Sequence, residues 1–377
     1  MTTAETHPYY WDYLRLDELL SAQRLESARH GEPAHDEMLF IIVHQAFELW
    51  FKQILWELDA VMAAMREPRL DDDRMGLVVR RLHRIVAIQP LLLAQLGVLE
   101  TMTPLDFLDF RGLLAPASGF QSLQFRLIEN RLGISPPQRI RVQGMPYTAV
   151  LRDDHRELLE RTEREPTLLS LVEGWLERTP FLRFGSFDFW RVYRRAVEEV
   201  LAEEREAIER NPHLDADARA EQLARHQRYG EGFEVLFDRD RWDALRATGQ
   251  RRLSLDAFLA ALLISLYRDA PAFQLPFSLL TALVDIDEGF TAWRQRHALM
   301  AFRMIGGRVG TGGTSGHRYL EAAAQRHTVF HDLFELSGFL LPTSKLPDLP
   351  AEVKAQLGFR YQANAPAGSP ADAPRRP

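Results

Sequence analysis

The chain has 377 residues, 46% hydrophobic and 26% charged, with a formal net charge of -7 and no cysteine. Such a composition describes a soluble globular protein that buries a sizeable core in one large or two modest domains. The acidic balance argues against nucleic acid as a main partner, and the missing thiols exclude disulfides, iron–sulfur clusters, thiolate zinc sites and a cysteine-ligated haem.

No basic region followed by an apolar segment opens the chain. The longest apolar run, near Phe258 to Tyr267, is too short to span a bilayer, so a cytoplasmic protein without membrane contact is expected. The first residues, HPYYWDYLRLDELLSAQ, are aromatic-rich, and Tyr10, Tyr13, Leu14 and Leu20 suit one face of a short helix. Rings at a terminus are costly in water, so this segment is expected to pack on the core or on a neighbouring subunit. Glu26 to Pro33 reads as a loop.

HDEMLFIIVHQAFELWFKQILWELD, His35 to Asp59, opens with acidic residues and then runs apolar for several turns. Phe40, His44, Phe47, Phe51, Ile54 and Leu58 recur at alternating steps of four and three, the spacing of one helix face. Ile42, Val43, Trp50 and Leu55 lie off that stripe, which predicts burial on more than one side. His44 interrupts the apolar face. It is either a core histidine with a backbone partner or a polar group kept for chemistry.

A charged connector from Arg66 to Asp73 leads to a helix over Met75 to Leu99, apolar at Leu82, Ile85, Val86, Leu91 and Leu93. Pro90 is expected to kink or split it. His83, among arginines, reads as solvated. In TMTPLDFLDFRGLLAPASGFQSLQFRLIENRLG, Thr103, Pro104 and Asp106 make a helix N-cap and first turn. Phe107 and Arg111 follow on one face, Arg111 in an apolar setting that demands an anion: a protein carboxylate or a ligand. Pro116 to Gly119 breaks the chain, and Ser118 is expected to cap the helix that runs to Leu132 and closes at Gly133.

Ile134 to Ser186 is more polar, with short helices. Helices are expected over Phe187 to Arg210, Asp215 to Phe237 and Leu253 to Tyr267, with His155, His213 and His226 at the surface. Phe273 to Phe277 reads as a loop into LTALVDIDEGFTAWRQRHALMAFRMIGG. Here Leu283, Ile286, Phe290, Trp293, His297, Met300 and Met304 again step by three and four. Two helices, each with one imidazole on its apolar face, suit a flat apolar cofactor held between helices and ligated from one side. GGRVGTGGTSG, Gly306 to Gly316, is neither a Rossmann turn nor a P-loop. It reads either as a linker or as a loop whose hydroxyls and backbone N–H groups close over a polar ligand. A helix over Tyr319 to Leu341 is expected, then a proline-rich tail. No strand-period segment and no internal repeat stand out. The predicted fold is all-α.

Four blocks carry a family resemblance in the right order: the His35–Asp59 stretch, TPLDFLDFRGLLAPASGFQSLQFR, RRLSLDAFLAALLISLYRDAPAFQLPFSLLTALVDID and WRQRHALMAFRMIGGRVGTGGTSG. From about Tyr10 to Pro342 the chain resembles the tryptophan 2,3-dioxygenase family. The resemblance implies one all-α haem domain over 1–345, with an N-terminal arm at 1–24, a more polar helical part at about 134–235, and a largely disordered Pro/Ala-rich tail over 346–377. It also implies a homotetramer, a dimer of dimers, holding one haem b per subunit. In the active form the iron is ferrous, and O2 cleaves the C2–C3 bond of L-tryptophan's indole to give N-formyl-L-kynurenine, the first step of the kynurenine pathway.

By the same resemblance His297 matches the axial haem ligand and His44 the distal histidine near the indole N–H. Arg111 matches the partner of the substrate carboxylate, and Thr311 the loop residue at its amino-acid end. Phe40 and Phe107 match the indole pocket, Ser118 the distal pocket, and Tyr10, Tyr13 and Leu14 an arm reaching a neighbouring subunit's site. Where some bacterial members have tyrosine, Phe107 here brings no hydroxyl. Three other readings stay open: a relative inserting one oxygen atom, a non-enzymatic haem sensor that would not need Arg111 with Thr311, and a non-haem iron site of two histidines and a carboxylate.

Overall fold

The computed structural model describes residues 7–135, 138–140, 146–179, 183–184, 187–308, 320 and 326–358. The N-terminal helices are α1 (Tyr10–Tyr13), α2 (Leu16–Leu20), α3 (Glu26–His30), α4 (His35–Met65) and α5 (Asp72–Leu99). Then come α6 (Pro104–Arg111), α7 (Leu123–Leu132), α8 (Asp153–Thr162), α9 (Leu168–Leu176), α10 (Phe189–Arg210) and α11 (Ala216–Glu234). α12 (Arg239–Ala247), α13 (Leu255–Leu266), α14 (Pro271–Ile305), α15 (His331–Glu335) and α16 (Ala351–Gln356) complete the series. Among the described residues the one sheet is a hairpin pairing Arg183 with Asp188 and Phe184 with Phe187, so the fold is all-α.

Three long helices, α4, α5 and α14, form the centre, with α7 against α4. α5 and α14 run parallel: contacts advance together from His83 with Ser278, through Gln89 with Ile286, to Glu100 with Arg296. Gly289 permits their close approach, since a Cβ there would clash with the Gln89 side chain. The Gln89 amide donates to the Ile286 carbonyl at 2.7 Å, which satisfies a polar group in an otherwise apolar seam. Most of the helix faces read from the sequence are buried, with Ile54, Leu58, Leu82, Ile85, Leu283, Ile286 and Phe290 in the core. Each such side chain contributes roughly 1.5–3 kcal/mol through removal from water. Leu91 is exposed instead, because it stands off the α5 stripe of Leu82, Ile85, Leu92 and Leu96.

Several local expectations change. α3 occupies part of the expected 26–33 loop, because the buried Glu37 carboxylate accepts the backbone N–H groups of Glu26 (2.8 Å) and Ser27 (3.0 Å) and so caps its start. Pro90 does not split α5, which is continuous across it. α14 begins at Pro271, not after Phe277. Pro271 suits the first turn, the buried Phe273 packs inward, and Ala272 N–H reaches the Leu357 carbonyl at 3.0 Å. That anchoring outweighs the hydrogen bond forfeited at Pro276.

The helix expected over Tyr319 to Leu341 is broken at 327–330, where the Asp287 carboxylate takes the N–H groups of Val329 and Phe330, each at 2.8 Å. Residues 319 and 321–325 lie outside the described residues. Part of the expected tail is packed: α16 buries Val353, with Leu349 and Leu357 beside it, while 359–377 lie outside the described residues.

On α4, Val43 is buried and Trp50 and Leu55 are half-buried, but Met38, Ile42, Leu49 and Trp56 line an exposed outer face. α4 and α5 are each long and apolar enough by length and composition to cross a membrane, as the core helices of a globular domain also are.

Candidate active site

The site is built where α4, α6, α7 and α14 meet. On α4, the His44 ring turns back along its own helix, and Nδ1 lies 2.7 Å from the Phe40 carbonyl oxygen. A carbonyl only accepts, so Nδ1 carries the proton, and Nε2 of the neutral ring is an acceptor. Burial pushes the His44 pKa below the usual histidine value; the Phe40 carbonyl and the charge of Glu48 partly oppose this. Of the two alternatives open at His44, the backbone partner is present, and the ring it anchors leaves Nε2 as an acceptor.

Phe40 packs on that imidazole, ring centroids 4.0 Å apart. α6 adds Phe107, stacked on Phe40 at 5.6 Å, and buried Phe110 edge-on to both. α6 starts as expected from its sequence, with a reciprocal cap in which the Thr103 N–H and hydroxyl bond the Asp106 carboxylate at 2.9 and 2.5 Å. Arg111 closes α6 one turn beyond Phe107 and is half-buried. The structure therefore brings Phe40, His44 and Phe107 together and places Arg111 on the same short helix.

Ser118 is half-buried in the connection between α6 and α7. It caps the 3₁₀ turn at Gly119–Gln121, with its hydroxyl accepting from Phe120 N–H at 3.4 Å. The cap of α7 is Ser122 instead, because the intervening turn shifts the helix start by one turn. Gly133 does end α7, at φ 118°, a backbone conformation that favours glycine.

α14 supplies the second imidazole. His297 stacks on Trp293 at 5.1 Å, and Trp293 stands edge-on to Phe47 at 5.8 Å and Phe51 at 6.0 Å. Phe125 of α7 packs on the same indole at 5.0 Å. Burial, and then the neighbouring His44, push the His297 pKa down to about 4. Its Nδ1 is buried and has no hydrogen-bond partner among the described residues. A neutral imidazole with an unpaired nitrogen in an aromatic wall fits a metal ligand, and the surrounding rings fit a flat macrocycle. Among the described residues no three His, Asp or Glu side chains converge, which leaves a two-histidine, one-carboxylate iron site without support.

Tyr10, Tyr13 and Leu14 are not brought to this cleft. They are 70%, 72% and 41% exposed, on and just after α1. Thr311 lies outside the described residues.

Two features escaped the sequence reading. Glu48, one turn beyond His44, accepts from the Ser122 hydroxyl at 2.6 Å and the Gln124 amide at 2.9 Å; its spacing from His44 was the available signal. Glu129 of α7, 1% exposed, gathers the guanidinium groups of Arg126, Arg139 and Arg294 together with His327 Nδ1 at 3.0 Å. Burial alone would push this carboxyl up, but Arg139, Arg126 and His327 hold it well below the usual carboxylate range. Arg294 sits one turn before His297, so this cluster braces the helix carrying the second imidazole.

The family model described as tryptophan 2,3-dioxygenase matches residues 2–340. The tryptophan 2,3-dioxygenase of Bdellovibrio bacteriovorus is 47% identical over 353 residues, 94% of this chain and 98% of that protein. That of Dictyostelium discoideum is 45% identical, covering 95% of this chain and 90% of its own length. Tryptophan 2,3-dioxygenase A of Danio rerio is 50% identical, covering 90% and 84%. With its two imidazole-bearing helices joined through one aromatic cluster, the chain belongs to the tryptophan 2,3-dioxygenase family.

Proposed function

We propose that this protein uses O2 to open the C2–C3 bond of the indole ring of L-tryptophan, giving N-formyl-L-kynurenine, the first step of tryptophan catabolism by the kynurenine pathway. The observation that carries the reading is the pair of neutral imidazoles, His44 and His297, linked through Phe47 and Trp293 and each held off protonation by burial. His297 is the residue that would hold the iron of a haem b, with Trp293 stacked on it and Phe51 and Phe125 packed on that indole. When bound in its ferrous state, that group supplies the dioxygen chemistry.

The rest of the work is positioning, and the chain's own residues do it. Arg111 carries a planar guanidinium suited to bidentate pairing with the substrate carboxylate, and Thr311 meets the amino-acid end. Phe40 and Phe107, stacked at 5.6 Å, confine the indole and exclude water from it. His44 Nε2 accepts the indole N–H, because Nδ1 is committed to the Phe40 carbonyl. It holds the ring in place without having to remove the proton. Ser118 forms part of the wall on the same side.

The exposed Tyr10, Tyr13 and Leu14 complete a neighbouring copy's site in a homotetramer, a dimer of dimers. That arrangement accounts for the large exposure of these apolar side chains within their own chain. The protein acts in the cytoplasm, with neither nucleic acid nor membrane as partner, as one catalytic domain over about 1–345. Purified protein supplied with haem and reductant should give a histidine-ligated haem spectrum that shifts on adding L-tryptophan, and should accumulate N-formylkynurenine. Absence of both the spectral shift and the product would refute the reading.

A further inference from the structure

We propose that Glu48 is a positioning residue for the reaction: it holds the Ser118 loop in register with the helix that carries His44. The inference rests on the function proposed above. Glu48 lies one turn from His44 on α4 and reaches across to the start of α7 with three hydrogen bonds. Its Oε1 accepts the Ser122 hydroxyl at 2.6 Å, its Oε2 the Gln124 amide at 2.9 Å, and its backbone carbonyl the same amide at 2.7 Å.

From there the connection runs back through the loop. Ser122 N–H donates to the Gly119 carbonyl at 3.1 Å, Ser118 N–H to Gln121 Oε1 at 3.2 Å, and the Gln121 amide to the Val150 carbonyl at 3.3 Å. It also runs forward. Ser122 caps α7 by accepting Phe125 N–H at 3.3 Å, and Phe125 packs on Trp293, the neighbour of His297. One carboxylate thus references the Ser118 loop and the aromatic wall of His297 to the helix that carries His44.

The donors that meet the Glu48 side chain are a hydroxyl and an amide, both neutral. Hydrogen bonds to a charged acceptor are the short, directional kind, suited to fixing a loop. Near-attack geometry is sensitive to displacements of about 1 Å, so a loop released from α4 costs rate more than it costs folding.

The test is a set of full-length, haem-loaded variants assayed with L-tryptophan. Glu48→Gln should keep the wild-type circular dichroism and lose about ten- to a hundredfold in kcat/KM. Ser122→Ala should lose a similar factor, and Ser122→Thr, which restores the hydroxyl, should recover most of it. In a Ser122→Ala background, Glu48→Gln should cost clearly less than it does alone, because the two residues act through one hydrogen bond.

An undiminished kcat/KM in Glu48→Gln, or the full penalty again in the Ser122→Ala background, would overturn the proposal. If Glu48→Gln does not fold, the Ser122 pair decides: loss and recovery support it, and indifference overturns it. Failure of the wild type to cleave L-tryptophan counts instead against the proposed function.

Discussion

Replacing Glu129 with glutamine tests the scaffold behind the His297 helix most sharply. The carboxylate is 1% exposed and is the shared partner of Arg126 at 3.0 Å, Arg139, Arg294 at 3.2 Å and His327 at 3.0 Å. Glutamine preserves shape and one acceptor but removes the negative charge on which these groups converge among the described residues. Breaking a buried ion network from one side costs about 3–5 kcal/mol, a large part of the roughly 5–15 kcal/mol that holds a domain folded. For 377 residues the unfolding entropy is about 0.8 kcal/mol/K, so the melting midpoint should fall by about 4–6 °C.

The pH dependence has a definite sign. The folded pKa of Glu129 lies well below the ordinary value of about 4.3, so the unfolded state binds the proton more readily. Its stabilisation is therefore fully present above that ordinary value and is lost as pH falls through the folded pKa. Glu129→Gln should show its full deficit at pH 7, and the gap to wild type should narrow only below about pH 4. The assay is thermal melting followed by circular dichroism across that range, with haem retention read in parallel. Equal midpoints for variant and wild type at pH 7 would show that the Glu129 charge does not stabilise the fold.

Other outcomes follow from the cleft and the arm. His297→Ala should abolish or grossly alter the haem Soret band while the helical circular dichroism persists; an unchanged spectrum would remove it as ligand. Arg111→Leu should lower kcat/KM by roughly thirtyfold to a thousandfold, the equivalent of about 2–4 kcal/mol for a lost charge-assisted pair. Tryptamine, lacking the carboxylate, should be a poor substrate of the wild type, and normal turnover of L-tryptophan by the variant would exclude this role. Deleting the residues before Ser21 should weaken the oligomer and reduce activity together, and a fully active, fully assembled truncation would exclude a shared site.

Much of this architecture is legible in the sequence because helix periodicity is local. The stripes through His44 and His297, the Thr103–Asp106 cap and the Gly133 stop each depend on neighbours within a turn or two, and all appear in the structure. The misreadings arise where a distant partner decides. Pro276 looked like a loop residue until α14 was anchored through the Leu357 carbonyl, and Asp287 breaks the helix expected near 329 by capturing two of its backbone N–H groups. Glu48 and Ser122 are 74 positions apart, and Glu129 and His327 are 198 apart, so no window on the sequence contains both members of either pair. Arg111 could be placed on its helix from the sequence, yet its role depends on a ligand that local spacing cannot identify.

Ring cleavage requires this cleft to hold L-tryptophan still while both atoms of one O2 reach the indole C2–C3 bond. Running the reaction of the ferrous enzyme under isotopically labelled O2 and weighing the product, with a control for exchange of the formyl oxygen with water, tests it directly. The expected product is N-formylkynurenine carrying two labelled oxygens. An intact oxindole with a single label would contradict it.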